Sequence, residues 1–447
     1  MQAILRESRA TLLLAIPITI GQLSQMLMGI TDSVMVGRIG TVSLAASAFG
    51  AGVFNVFFIV GVGLLAPVAV FASRSRGAGR HDEAGEYLRH GLLLALLSGA
   101  VGVGLILFIG AHLGWFHQPP EVLATVNPFF ILIGLSLVPV LAYLALRQFA
   151  EAMGRPWVPV VIMLIGVALN ILLNWIFIYG HWGAPELGLT GSGVATLASR
   201  LLTSAAIFAW LRIDPAIRPS WPRRWLAPIS AGRLRRMLGI GLPAAGGLLF
   251  EGGAFSAATV MMGWLGARAL AAHQIAISCA ALTFMFPLGL SIAVGMRVSA
   301  AVGSAEHPRL RPIWLGAAGL GAMSAAAVTV VFLTLGRRIA SGFIGDPVVV
   351  ATAVRLLVVA AIFQLFDGAQ VINSGALRGL GDVRIPAAIT FVAYWLIALP
   401  LGYLLGIRGG VGPTGIWIGL AAGLAVAGIL LGLRFFRLSH AGSLARA

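Results

Sequence analysis

Three acidic residues lie well inside long apolar stretches of the chain, where a carboxylate requires a chemical reason. Glu251 is the only ionisable residue between Gly241 and Gly263, and Asp32 and Asp367 have similar surroundings. A charged side chain at the centre of such a stretch costs about 2.5–3.5 kcal/mol on membrane-insertion scales. An acid in this position is expected to pair with a base, bind a cation or carry a proton.

Glu251 and Asp367 both lie in the second half of the chain, and no arginine lies deep in the apolar stretches to neutralise them. The pair therefore predicts a site for a cation or for a proton. The structural alternative for each of the three acids is a neutral carboxyl group that is hydrogen-bonded to backbone.

Asn170 and Asn174 are four residues apart in the segment "LNILLNW", which places both amides on one helix face. Together with Asp32 they could form an oxygen-rich site of the kind that hard cations prefer. The alternative is an amide contact between helices. The remaining polar residues within apolar stretches are expected to bond across helices; they are Gln25, His273, Gln274, Gln364 and Asn373.

The elements that position these residues are membrane-spanning helices. The 447 residues are 59% hydrophobic and only 10% charged, whereas soluble domains carry roughly 25% charged residues. A span needs about 20 mostly apolar residues. Twelve stretches qualify: 10–36, 44–72, 88–111, 122–150, 157–179, 190–212, 237–262, 268–300, 310–334, 349–376, 386–406 and 413–437. The predicted fold class is an all-α integral membrane protein with twelve transmembrane helices.

The distribution of arginine predicts the orientation in the bilayer. The chain has no lysine, and 23 of its 30 arginines lie in the terminal segments and even-numbered loops or at the span ends beside them. Excess positive charge marks the cytoplasmic side, so both termini are predicted to be cytoplasmic. The net charge of +16 therefore reflects membrane topology and not nucleic-acid binding. The single cysteine, Cys279, excludes a disulfide framework and a cysteine metal site.

The two halves of the chain repeat each other. An offset of 226 residues aligns "VMVGRIGTVSLAA" (Val34–Ala46) with "VMMGWLGARALAA" (Val260–Ala272). Six spans separate the halves, so both bundles of six helices have the same orientation, as in transporters built from parallel repeats. The predicted division is an N-terminal lobe at 1–212, a cytoplasmic linker at 213–236 and a C-terminal lobe at 237–447. The same offset pairs Glu251 with Gln25, so the acid is particular to the second half.

The sequence contains no complete motif of a membrane-embedded enzyme or an ATP-driven pump. The segment "GLGD" (Gly379–Asp382) has the GxGD pattern of intramembrane aspartyl proteases, but it lies in a loop between two arginines and the chain has no Tyr-Asp partner. The sequence also has no HExxH, GxSxG or Walker A motif. We therefore predict that the protein is not an enzyme, has no cofactor and uses an ion gradient.

Four stretches together resemble the multidrug and toxic compound extrusion (MATE) transporters, particularly the NorM branch. They are "QMLMGITDSVMVGRIG", "LNILLNWIFIYG", "LLFEGGAF" and "FQLFDGAQVINSGALRGLGDVRIP". The resemblance implies that Glu251 and Asp367 bind the coupling cation, with Na⁺ as the metal candidate. It also implies that Asp32, Asn170 and Asn174 form a polar cluster used for protons or Na⁺.

The resemblance also suggests residues that contact substrate. Gln274 matches a polar position near the C-lobe site, and Asp346 lies in a region that helps to hold cationic drugs in the family. A tyrosine is expected one turn before Asp367, where this chain has Phe363, whose ring can still offer a π face to a cation. The candidate substrate-binding residues are Gln274, Phe363, Gln25 and Asp346. Gly252 and Gly253 are expected to leave space beside the Glu251 site.

The function implied is export of bulky, often cationic, organic compounds from the bacterial inner membrane by a monomeric antiporter coupled to Na⁺ or H⁺. The small-molecule drug and the lipid bilayer are the expected partners. One alternative is a flippase for lipid-linked oligosaccharides, which would need a basic cavity for pyrophosphate. The other is a membrane-embedded enzyme such as a lipid glycosyltransferase, which would need a soluble catalytic loop.

Overall fold

The structure, a computed structural model, describes residues 1–117 and 119–440 and is α-helical, as hydropathy predicts. Its α-helices are α1 (Gln2–Gly37), α2 (Thr41–Gly77), α3 (His81–Ala111), α4 (Pro120–Leu135), α5 (Leu137–Ala152), α6 (Trp157–Tyr179), α7 (Gly188–Ile213), α8 (Ala231–Trp264), α9 (Ala267–Gly303), α10 (Leu310–Phe343), α11 (Pro347–Leu380), α12 (Arg384–Phe391), α13 (Leu399–Tyr403) and α14 (Pro413–Leu438).

Twelve segments of the described chain are long and apolar enough to cross a membrane, which confirms the predicted number of spans. The fourth span, Thr125–Ala152, combines most of α4 with α5. Helix α1 begins eight residues before the predicted span, because its first turns contain a charge that is paired inside the protein. The carboxylate of Glu7 is buried and accepts hydrogen bonds from Arg297 and, at 3.0 Å, from Arg309.

The eleventh span, Arg384–Arg408, is irregular. After α12 it continues as a π-helix over Val392–Ala398, returns to α-helix in α13, and ends in a second π-helical segment at Leu404–Arg408. A π-helical turn accommodates an extra residue and occurs frequently at functional sites. Tyr394 and Trp395 both lie in the first π-helical segment.

The described chain divides into two compact units. The N-terminal unit is Ile20–Ala245, and the C-terminal unit combines Met1–Thr19 with Gly246–Ala447. The division falls within α1 and α8. The lobe boundaries at 212 and 237 come from the internal repeat of the sequence and stay a prediction.

In the C-terminal unit, small residues bring α9 and α11 into close contact. A Cβ atom added to Gly295 would lie only 2.8 Å from the carbonyl oxygen of Gly375. Ser291 on α9 also donates a hydrogen bond of 2.6 Å to the carbonyl oxygen of Val371 on α11. Small residues at such a contact let two membrane helices approach closely. This contact fixes the helix that carries Asp367.

Candidate functional site

The predicted polar cluster of the N-terminal unit comes together around Asp32. The amide nitrogen Nδ2 of Asn174 donates hydrogen bonds to Asp32 Oδ1 at 2.6 Å and to Asn170 Oδ1 at 3.2 Å. Both asparagine side chains are fully buried, and Asp32 is half-buried. The four-residue spacing on α6 therefore places both amides on the face that meets Asp32. Their role in binding an ion stays a prediction.

The backbone near Asp32 is held by a second contact between the same two helices. The hydroxyl of Tyr179, at the end of α6, donates a hydrogen bond of 2.8 Å to the carbonyl oxygen of Met35. Met35 lies three residues after Asp32 on α1. Two hydrogen bonds thus fix the position of the carboxylate against α6.

Arg200 on α7 is a basic neighbour that the sequence did not predict for Asp32. Its guanidinium interacts electrostatically with the Asp32 carboxylate. The neutral side chains of Asn170 and Thr196 interact with the same carboxylate as hydrogen-bonding groups. Arg200 also donates a hydrogen bond of 2.6 Å to Ser136 Oγ and lies 4.6 Å from the ring centre of Phe54. The expectation that no arginine reaches the buried acids is thereby corrected. When Asp32 is ionised, Arg200 balances its charge.

In the C-terminal unit, Glu251 on α8 and Asp367 on α11 are close enough to interact electrostatically. Asp367 is 4% exposed, and Glu251 is half-buried. The backbone beside Glu251 is held by Trp395, whose indole nitrogen donates a hydrogen bond of 3.0 Å to the carbonyl oxygen of Phe250. The structure therefore brings together the two acids that the sequence paired.

Three further side chains that the sequence did not single out belong to this acidic cluster. Gln370 and Arg378, both on α11, interact with the Glu251 carboxylate. Tyr394, in the π-helical segment, interacts with both Glu251 and Asp367. We call these five residues (Glu251, Asp367, Gln370, Arg378 and Tyr394) the acidic cluster. The predicted tenth span ends at residue 376, which leaves Arg378 outside it, whereas α11 continues to Leu380.

Several oxygens of the acidic cluster are buried without a hydrogen bond. Among the described residues, no hydrogen-bond partner is found for Asp367 Oδ1, Gln370 Oε1 or Tyr394 Oη. The side chains of these three residues are at most 4% exposed. Buried polar groups are nearly always paired, so these three oxygens are available to water or to a bound ligand.

The described residues contain no group of three or more histidine, cysteine, aspartate or glutamate side chains placed to hold a metal ion. A cation in the acidic cluster would therefore need the amide oxygen of Gln370 and the phenol oxygen of Tyr394 as additional ligands. Such neutral oxygens, together with carboxylates, are suitable ligands for hard cations. A tyrosine inside the apolar run "FVAYWLIALP" is the signal in the sequence that could have found Tyr394.

Phe363 lies in an aromatic cluster inside the C-terminal unit. It is 1% exposed, and its ring centre lies 6.1 Å from that of Phe255 and 5.3 Å from that of Trp417. Phe255 in turn contacts the ring of Tyr394 at 5.9 Å. The ring of Phe363 therefore packs behind the acidic cluster, next to the tyrosine that reaches the carboxylates.

The other candidate substrate-binding residues occupy different places. Gln274 is exposed on α9, and Gln25 is half-buried on α1 in the N-terminal unit. Asp346 is the N-cap residue just before α11, where its side chain accepts a hydrogen bond of 2.8 Å from the Val348 N–H and pairs with Arg268 at 3.2 Å. Both contacts lower the pKa of Asp346, and the hydrogen bond from the backbone has the larger effect. Among the described residues of the C-terminal unit, no hydrogen bond joins Gln274 to Asp346.

The two glycines beside Glu251 have different surroundings. No atom lies within 4 Å of the position that a Cβ on Gly252 would take, whereas a Cβ on Gly253 would lie 3.1 Å from the ring of Trp395. Gly252 thus faces open space, and the missing side chain of Gly253 lets Trp395 of span 11 pack closely against α8.

The remaining polar residues within spans make hydrogen bonds between helices. The ring of the buried His273 accepts from the indole of Trp417 at 3.1 Å and contacts the hydroxyl of Thr259 at 3.1 Å. Gln364 donates to the carbonyl oxygen of Ala280 at 3.0 Å. Asn373 donates to the carbonyl oxygen of Gly428 at 2.9 Å and accepts from Trp314 at 2.7 Å. These three polar residues are satisfied by protein groups.

The sequence profile of the MatE family matches residues 17–176 and 243–404, which is most of the chain in two similar parts. The chain belongs to the MatE family. The predicted resemblance is confirmed, and the two matching parts correspond to the two halves of the repeat.

Curated MatE relatives match over nearly their whole length. "Probable multidrug resistance protein NorM" of Mesorhizobium japonicum is 36% identical over 426 residues, covering 92% of this chain and 90% of the relative. "Multidrug resistance protein MdtK" of Proteus mirabilis is 33% identical over 422 residues, covering 93% of this chain and 92% of the relative. A crystal structure of a MATE in the bent conformation has a TM-score of 0.90 at 21% identity, covering 100% of this chain and 99% of that one. This last likeness shows the MATE fold.

Proposed function

We propose that the protein is a secondary active multidrug efflux antiporter that exports organic, often cationic, compounds in exchange for inward Na⁺ or H⁺. The names of its NorM and MdtK relatives support multidrug efflux. The acidic cluster is the observation that carries the coupling mechanism, because it combines two carboxylates with an amide and a phenol. One oxygen each of Asp367, Gln370 and Tyr394 has no hydrogen-bond partner among the described residues. No cofactor besides the coupling ion is proposed.

The charges of the acidic cluster favour one monovalent cation. Ionised Glu251 and Asp367 carry two negative charges, and Arg378 supplies one positive charge. One bound Na⁺ or H⁺ would make the cluster neutral, which a low-dielectric interior strongly favours. Na⁺ would also satisfy the unpaired oxygens of Gln370 and Tyr394, because one metal ion is coordinated by several oxygens at once.

The polar cluster of the N-terminal unit has a different charge. Arg200 already balances Asp32, and Asn174 donates a short hydrogen bond to the same carboxylate. A cation added there would leave a net positive charge inside the membrane, unless Arg200 moved away. We therefore assign the coupling ion to the acidic cluster, and we assign Asp32 to a polar contact whose ion binding depends on Arg200.

Competition at the acidic cluster would couple the two fluxes. A cationic drug and the coupling cation cannot both neutralise the same net charge, so the binding of one favours release of the other. Exchange across a membrane further requires that each ligand stabilises a different state of the carrier. Alternation between two bundles of a repeat provides such states in transporters of this architecture.

We propose a multi-pass position in the bacterial inner membrane, with both termini in the cytoplasm and with the monomer as the transporting unit. The arginine distribution supports this orientation. The competing flippase function would need positive charge to hold a pyrophosphate, whereas the cluster in the C-terminal unit is acidic. The described soluble segments offer no catalytic loop for a glycosyltransferase.

The experiment that tests this function is drug efflux from proteoliposomes under separately imposed proton and sodium gradients. Wild-type protein should respond to one gradient, which identifies the coupling ion. Glu251→Gln and Asp367→Asn should each abolish gradient-driven efflux while the protein is still produced and inserted. Glu121→Gln, at an exposed acid, is the matched control and should behave as wild type. Full efflux by both cluster variants would contradict the mechanism.

A further inference from the structure

The linker between α7 and α8 is fixed against helix α3 by a buried arginine. The guanidinium of Arg89, which is 7% exposed, donates hydrogen bonds to four carbonyl oxygens of the linker. These belong to Arg224 at 3.2 Å, Trp225 at 3.5 Å, Ala227 at 2.5 Å and Pro228 at 3.0 Å. The backbone of residues 224–228 therefore turns its oxygens towards α3.

A histidine and a glutamate complete this attachment. The ring nitrogen Nε2 of His90 accepts a hydrogen bond of 3.0 Å from the Ser230 N–H. Glu86 pairs with Arg89 at 2.9 Å and with Arg233 at 3.2 Å. The only acid of the linker, Asp214, is buried and accepts from the Ala216 N–H at 2.8 Å. The linker is thus a fixed element without an exposed carboxylate.

The outer surface of the linker is both basic and apolar. Leu226 is fully exposed, and Trp225 is 36% exposed. The rings of Trp221 and Trp225 lie 5.3 Å apart, and both contact Phe208 on α7. The exposed arginines of the linker and of the adjoining helix ends are Arg212, Arg218, Arg223, Arg224, Arg235 and Arg236. Tryptophan beside arginine is typical of the membrane–water interface on the cytoplasmic side.

Beside this surface lies a cavity of about 820 Å³, which is bounded by α3, α5, α7 and the linker. Its walls are mostly apolar and include Leu93, Val138, Ala142, Leu201, Ala205 and Leu226. The polar residues of the wall are Arg89, His90 and Ser204, and the first two are bonded to the linker backbone. Its volume is within the range of small-molecule binding sites. Because Leu226 and the arginines belong to the same short segment, the apolar cavity is close to a concentration of positive charge.

We propose that this cavity binds an anionic phospholipid, with an acyl chain inside the cavity and the phosphate held by Arg223 and Arg224. The occupant needs a long apolar part to fill walls of leucine, valine and alanine. It needs a negative charge to match the exposed arginines, and basic pockets between membrane helices on the cytoplasmic side bind such headgroups. This site is separate from the acidic cluster, and it stands whether or not the proposed transport function is correct.

The test uses the purified full chain after reconstitution in vesicles of equal parts phosphatidylglycerol and phosphatidylcholine. Lipids that remain bound after extraction in mild detergent are measured by native mass spectrometry. Wild-type protein should retain phosphatidylglycerol in preference to phosphatidylcholine. Arg223→Gln combined with Arg224→Gln should lower phosphatidylglycerol retention about 30-fold, since each surface arginine strengthens the attraction to anionic lipid several-fold.

Two further variants separate the charge from the cavity. Arg337→Gln with Arg338→Gln changes another pair of adjacent exposed arginines, at the end of α10, and should leave retention unchanged. Ala205→Trp should lower the retention of phosphatidylglycerol while all arginines remain, because the indole fills the cavity. Equal retention of both lipids by wild type, unchanged retention in the Arg223 and Arg224 variant, or displacement of the lipid by glycerol phosphate at equal concentration would each overturn the proposal.

Discussion

Tyr394 and Asp367 interact inside the C-terminal unit, and each has a buried oxygen without a hydrogen-bond partner among the described residues. The tyrosine reaches the acid from the π-helical segment of span 11. The resemblance would have placed a tyrosine on α11 itself, where Phe363 stands instead. In this chain, a neighbouring helix therefore supplies a phenol oxygen to the acidic cluster.

Removal of that oxygen should weaken ion binding without removing the packing of the ring. Tyr394→Phe is expected to raise the cation concentration for half-maximal efflux about tenfold or more, since an interaction with a charged partner contributes about 1.5–3 kcal/mol. The measurement is efflux from proteoliposomes over a range of Na⁺ and H⁺ concentrations. Tyr403→Phe, at a partly exposed tyrosine of the same span, should change nothing. An unaltered cation dependence in Tyr394→Phe would exclude the phenol as a ligand.

In the N-terminal cluster, the two asparagines should contribute unequally. Asn174 donates a hydrogen bond of 2.6 Å to Asp32. Asn170 accepts from Asn174 at 3.2 Å, and its own interaction with the Asp32 carboxylate is the weaker of the two. Asn174→Ala should therefore reduce efflux more than Asn170→Ala. It should also lower the free energy of unfolding in detergent by about 0.6–1.7 kcal/mol, the usual range for such bonds in membranes. Equal effects of both variants on efflux would show that the contact with Asp32 is not the decisive one.

His273 should be needed for stability and not for ion coupling. Its ring bridges Trp417 and Thr259 while fully buried, so His273→Ala leaves the buried indole of Trp417 unpaired and creates a cavity. Thr259 keeps its hydrogen bond of 2.9 Å to the carbonyl oxygen of Phe255. The expected loss is about 2 kcal/mol or more of the free energy of unfolding. Thermal unfolding in detergent measures this loss, and the efflux per folded molecule should keep the wild-type cation dependence. Gln274→Ala, at the exposed neighbouring residue, is the control for stability and should leave the free energy of unfolding unchanged. A shifted cation dependence in His273→Ala would assign the histidine to the coupling site.

The contact at the start of α11 should depend on pH in a defined direction. The Val348 N–H and Arg268 stabilise the ionised form of Asp346, so its pKa in the folded protein is below the ordinary value of 3.8. The stability that this contact adds is fully present above the ordinary pKa and is lost as the pH falls through the lowered pKa. The difference in unfolding temperature between wild type and Asp346→Asn should persist at neutral pH and vanish in strong acid. A difference that disappears already above pH 5 would contradict the lowered pKa.

The sequence predicted the spans well, because membrane insertion depends on hydropathy summed over many residues. It also predicted that Asn170 and Asn174 share a face, since helical periodicity is a local property. Gln370 and Arg378 were not assigned to the cluster because their proximity to Glu251 depends on how α8 packs against α11. Glu7 shows the same limit, since only the fold brings Arg297 and Arg309 to it and allows α1 to start so early.

The π-helical turn at Val392–Ala398 makes span 11 sensitive to changes in length. Removal of one residue there would convert the wide turn into a regular one and rotate everything on one side of it by about 100° relative to the other, the angle per residue in an α-helix. Tyr394 and Trp395 could then no longer both keep their contacts with the acidic cluster and with Phe250. An insertion or deletion within this short stretch should therefore be far less tolerated, in laboratory variants and in natural relatives, than one in the loop that follows at Gly409–Gly412.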